Sequence, residues 1–165
     1  MTTQAAFTPQ EWTLLRTVPA LVASGVAAAD PGGILGGMKE AFAGMKGMFD
    51  SLLQGKDVEL LQAMVADKSR PEMPDIKAMM GEGDPAQQLI NLKARVLERI
   101  REAETLVAAK ATAEEAQAYR QMLMHVAART AEASKEDSFF GFGGVRVSSA
   151  EQSFLNEVRQ ALHIA

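Results

Sequence analysis

The residues along this chain whose types and spacing can do chemistry are glycines, histidines and a group of phenylalanines. Gly32-Gly33-Ile34-Leu35-Gly36-Gly37 opens a helical pattern, and the free N–H groups of a helix start attract anions. No Gly-Lys-Ser/Thr ending follows and no strand pattern precedes, so neither nucleotide-binding fingerprint is met. Gly37, Ala41, Gly44 and Gly47 instead make a small-residue face that lets a neighbouring helix approach closely. His125 and His163 lie outside any Glu-x-x-His or His-x-x-x-His spacing, so the ligand sets of di-iron bundles and zincins are missing. The chain has no cysteine, which removes disulfides, zinc-thiolate sites, thiol catalysis and iron–sulfur clusters together. No nucleophile elbow is present.

Phe139, Phe140 and Phe142 gather three of the seven phenylalanines in one glycine-bearing loop. Two outcomes are open for them. The loop either folds back and plugs the end of the helices, or exposes an apolar patch to a partner. The run from Met38 to Met48 poses a similar choice between an adaptable binding groove and a core stripe, and its helical spacing favours the stripe.

The elements that must position these residues are helices. Alanine makes up about one residue in six, and β-branched and aromatic residues are scarce. Thr8-Pro9-Gln10-Glu11, Thr112-Ala113-Glu114-Glu115 and Ser148-Ser149-Ala150-Glu151 each place a capping hydroxyl three residues before a glutamate. Asp30-Pro31 and Asp84-Pro85 add two cap-plus-proline starts. Between these signals apolar residues recur at three or four. One stripe is Leu35, Met38, Phe42, Met45, Phe49 and Leu52; another is Leu89, Leu92, Val96, Ile100, Ala103 and Val107. Lys93, Arg95, Glu98, Arg101, Glu102 and Glu104 are expected outside the second stripe. Tyr119, Met122, Val126 and Thr130 line the next helix, and Phe154, Leu155, Val158 and Leu162 the last. Pro19 falls inside the first run and predicts a kink there. The proline- and glycine-rich stretch 69–84 reads as a connection carrying one helical turn at Ile76 to Met80.

The expected fold is therefore all-α: a single antiparallel bundle of about five or six helices over residues 1–165. A chain of this length buries roughly two-thirds of its unfolded surface and needs no staples. The net charge of −4 offers no electrostatic footprint for nucleic acid. The least polar stretch, Val18 to Ala29, is too short to span about 30 Å of hydrocarbon, so no transmembrane segment is expected. The opening residues lack the basic and apolar regions of a secretory signal, and with no cysteine in the chain a reducing, cytoplasmic setting is the default expectation.

Laying Trp12 on Tyr119 also brings Leu15 onto Met122, Asp30 onto Asp137, and Gly36-Gly37 onto Gly143-Gly144. Two related halves, 8–67 and 84–165, are one reading of that match, and chance alignment of alanine-rich helices is the other. A helix, an acidic residue, a glycine turn and then Val147-Ser148-Ser149-Ala150-Glu151 resembles the tellurite-resistance TerB-like helical proteins. The likeness covers roughly 119–162 and, more faintly, 12–49. It departs from that family in the long loop 138–144 and in lacking a Ser-x-x-Glu start after Asp30. The resemblance implies a divalent-cation site at the turns, with Asp30, Glu40, Asp137 and Glu151 as ligands. Oxygen ligands suit calcium or magnesium. Helix capping explains Asp30 and Glu151 equally well. The residues point to a non-enzymatic protein acting through contacts, a self-associating or stress-associated adaptor working as a homo-oligomer or with a protein partner and without a cofactor; the alternative is a helical protein binding a small molecule or divalent metal at its turns.

Overall fold

The computed structural model describes residues 2–29, 57–133 and 147–164. A short 3-10 turn, Gln4–Ala6, leads into α1 (Pro9–Ala29). After it come α2 (Glu59–Ala66), α3 (Ile76–Met80), α4 (Pro85–Lys110), α5 (Ala113–Ala133) and α6 (Ser149–Ala161). The fold is all-helical, and no strand occurs among the described residues. The buried side chains of α1, α2, α4, α5 and α6 form one cluster that draws on both of the candidate halves.

The helices begin where the capping residues stand. Thr8, Thr112 and Ser148 each accept a hydrogen bond from the amide three residues on, and Glu11, Glu115 and Glu151 each accept one back from the capping residue's amide. Asp84 accepts from the Gln87 amide directly ahead of Pro85. These bonds satisfy donors that a bare helix start leaves unpaired. The fifth start, Asp30-Pro31, lies outside the described residues, as do the stripe from Leu35 to Leu52, the glycine run 32–37 and the Met-rich run 38–48. At the other end of the chain, His163 closes α6 with a positive φ of 51°. Its amide bonds to the Gln160 carbonyl and the Ile164 amide to the Arg159 carbonyl, the pairing of a Schellman motif. The histidine thus serves the helix end.

α1 is the axis of the fold. Val18, Leu21, Val22 and Val26 are fully buried, because α4, α5 and α6 pack around this helix. It runs antiparallel to α4: Glu11 meets Lys110 at one end and Gly25 meets Val96 at the other. A two-residue connection makes α4 and α5 an antiparallel pair as well. A Cβ at Gly25 would come within 2.8 Å of the Phe154 ring and 3.1 Å of Val96 Cγ1, so the missing side chain is what lets α6 approach. By length and composition α1 could cross a membrane, with a mean hydropathy of 1.3, but 67 % of that window is buried inside the fold. The helix that carries the apolar stretch extends from Pro9 and is longer than Val18 to Ala29 alone, and its hydrophobicity is that of a helix surrounded by other helices.

Pro19 does not interrupt α1. Proline lacks an N–H, so the carbonyl four residues earlier, on Leu15, loses its helical partner. The Tyr119 hydroxyl of α5 donates to that carbonyl at 2.9 Å, in a fully buried position. Two other hydroxyls in this apolar helix bond backward along it, Thr17 to the Thr13 carbonyl and Ser24 to the Ala20 carbonyl.

Candidate functional site

Of the residues proposed as cation ligands, Asp30, Glu40 and Asp137 lie outside the described residues, and so do Phe139, Phe140 and Phe142. Glu151 is described. Its carboxylate accepts the Ser148 amide at 2.9 Å within the α6 capping box, and the residue is buried. Among the described residues no three His, Cys, Asp or Glu side chains gather as a metal would require.

The structure brings together other groups. The first is a part-buried ion pair in which the carboxylate is covered and the Arg120 side chain is 26 % exposed. Glu104, only 5 % exposed, receives Nε and Nη2 of Arg120 across the α4–α5 hairpin at 2.5–3.0 Å. The glutamate was expected among the outward charges of α4. It instead occupies the buried side, between Ala103 and Val107, because α5 supplies a guanidinium to match it. Burial and the Glu104 charge together push the neighbouring Tyr119 hydroxyl well above its usual range, which keeps it protonated as a donor to Leu15.

The second cluster ties α1 to the end of α2. Asp67 Oδ2 accepts from the Trp12 indole N–H and from Arg16 Nη1, both at 2.8 Å. The same guanidinium reaches the Asp67 and Ser69 carbonyls, and the Ser69 amide bonds to Asp67 Oδ1. The Ser69 side chain, then the Trp12 indole and the Ser69 amide, lower the Asp67 carboxyl to about 2.

The third cluster stands at the N-terminal edge, where the segment before α1 crosses the junction of α4 and α5. Glu115 belongs to the α5 capping box, yet its carboxylate also accepts the Thr2 hydroxyl at 2.5 Å and the Thr2 amide at 3.3 Å. Burial works against the charge on Glu115, but the bonds from Thr2 and Thr112 outweigh it and hold the carboxyl below its usual range. A few residues on, the Phe7 ring rests on Trp12 with centroids 5.8 Å apart, and Lys110 Nζ lies over the Phe7 ring at 5.8 Å from its centroid. Lys110 also pairs with Glu11 at 2.6 Å, and that bond, with the Thr8 amide, lowers the Glu11 carboxyl. Between these anchors Thr3, Gln4, Ala5, Phe7, Pro9 and Trp12 line an open recess of about 520 Å³.

None of these three clusters is visible as a spacing in the sequence, because each joins residues distant along the chain. The partial signal lay in the capping boxes, which mark Glu11, Glu115 and Glu151 as placed carboxylates without saying what else they touch. His125, by contrast, is a solitary feature. Its Nε2 is buried and has no hydrogen-bond partner. Comparison of the chain with protein families, curated proteins and solved structures gave no match.

Proposed function

We propose that this is a non-enzymatic helical protein that acts through protein contacts in the cytoplasm, with a second copy of the chain as the first partner to test. The observation that supports this reading is a division of labour among side chains. The placed carboxylates Glu11, Asp67, Glu104 and Glu115 are bonded to groups of the chain itself. Large apolar side chains, meanwhile, are exposed before and after α3 along the chain, with Met73 45 % and Ile90 55 % exposed. Exposed apolar side chains mark a contact surface where they join into one patch. Phe139, Phe140 and Phe142 are further contact candidates from the sequence. Native mass spectrometry of the protein purified from its own host tests the reading. A dimer or a bound protein is expected, lost on the double change Ile90→Glu and Met73→Glu. A strict monomer without any partner contradicts it.

The TerB-like resemblance supplies a second reading, a divalent cation held at the turns by Asp30, Glu40, Asp137 and Glu151. Calorimetric titration with calcium and with magnesium tests it: binding heat lost on Asp137→Asn supports the site, and no heat with either ion sinks it.

A further inference from the structure

The segment Thr2–Phe7 is anchored by side chains at its two ends, while the 3-10 turn between them lies near α2 with its own residues exposed. At one end Thr2 is 4 % exposed and gives both its amide and its hydroxyl to Glu115. At the other, Phe7 is buried against Trp12, with the Lys110 ammonium also over its ring. The intervening Thr3, Gln4, Ala5 and Ala6 are exposed, and their backbone makes only the short bonds of one 3-10 turn, from Ala6 to Thr3 and Phe7 to Gln4. The recess lies alongside this segment, so its wall is shared between the segment and the first turn of α1.

Two buried side chains are few for a segment of this length. Regions with few buried contacts and exposed backbone bonds open at free energies far below that of global unfolding. The anchors also lie on different helices, Glu115 on α5, Lys110 on α4 and Trp12 on α1. Those helices are held together independently by the interior contacts around Leu15, Gly25 and Glu104. Lifting the segment breaks none of the interior bonds.

We propose that Thr2–Phe7 is a strap, latched by the Glu115 carboxylate, which lifts off Trp12 as a unit while the helices stay folded and so uncovers the Trp12 face of α1. Glu115 is well suited to be the catch. Its second bonding partner, the Thr112 amide, keeps the carboxylate in place when Thr2 leaves, so the strap can return to a preformed acceptor. The inference does not depend on the proposed contact function.

Hydrogen exchange and fluorescence quenching of the whole protein test it. Thr2→Val removes the hydroxyl and little volume. It is expected to speed exchange of the Ala6 and Phe7 amides about tenfold, the effect of one hydrogen bond to a charged group. The slow amides of α1 and α5 should be unchanged. Trp12 is the only tryptophan, so acrylamide quenching should rise in step. Glu115→Gln, which keeps a capping-box residue at that position, should act in the same direction. Ser148→Ala weakens the remote α6 cap and serves as the control for overall destabilisation, leaving the strap amides protected relative to the core. If Ala6 and Phe7 exchange at the wild-type rate in both latch variants, Glu115 is no latch. If they exchange only together with the α1 core, there is no separate strap, and either result overturns the proposal.

Discussion

The interior crossing of α1 with α4, α5 and α6 and the edge where the N-terminal segment meets the helix ends both rely on polar pairs, with different consequences. In the interior, Tyr119 serves a carbonyl that Pro19 leaves without a partner, and Arg120 serves a carboxylate that α4 buries. At the edge, Lys110 and Glu11 are each about one-third exposed. An interior group that loses its mate stays in a dry environment and bears the full desolvation cost. Lys110 or Glu11, on losing its mate, turns to water. The same count of hydrogen bonds therefore carries very different energies in the two regions.

The largest effect should come from Arg120→Met. It leaves the Glu104 charge buried without its partner and should lower stability by about 3 kcal/mol in urea unfolding. Adding Glu104→Gln should recover much of that loss. A cost below about 1 kcal/mol would mean the pair behaves as a surface bridge and the contrast fails. Tyr119→Phe should follow, at about 1–3 kcal/mol, because it strands the Leu15 carbonyl. In a Pro19→Ala background the restored amide can bond to that carbonyl, so the cost of Tyr119→Phe should shrink. An undiminished cost would show that the hydroxyl serves some other purpose.

Asp67 sharpens the comparison through pH. Its carboxyl is lowered from 3.8 to about 2 in the folded protein. The stability this contributes is fully present above the ordinary value and is lost as pH falls through the lowered one. Thermal unfolding from neutral pH downward should show wild type and Asp67→Asn converging as the solution passes from about pH 4 to about pH 2. A constant gap would contradict the bonding described at Trp12 and Arg16. Lys110→Met should have the smallest effect, under about 1 kcal/mol, as expected of a partly exposed pair.

Much of the helical framework was legible in the sequence because its signals are local. Four starts, at Pro9, Pro85, Ala113 and Ser149, stand where a cap was readable. The turn at Ile76–Met80 is present as expected. α2 had no such signal: it begins after Val58, which makes no side-chain cap bond. The burial of Glu104 was hidden for a different reason. A glutamate beside an apolar stripe reads as an outward charge until the arginine on the next helix is placed opposite it. Pro19 likewise announced a lost hydrogen bond, but only the packing of α5 on α1 brings Tyr119 to the vacant carbonyl. The candidate site was less legible than the fold, since Thr2 and Glu115 are 113 residues apart. The capping box located the glutamate; its second bond depends on how the N-terminal segment crosses the helices.

The division between a stable interior and a separately opening edge is tested most directly by native-state hydrogen exchange of the unmodified protein at increasing low concentrations of urea. Exchange of the Leu15, Val22 and Val126 amides should accelerate steeply with denaturant, because their opening exposes the whole core. Exchange of Ala6 and Phe7 should be faster at the outset and nearly independent of urea, since lifting the segment exposes little surface. A single common dependence for all five amides would contradict the account.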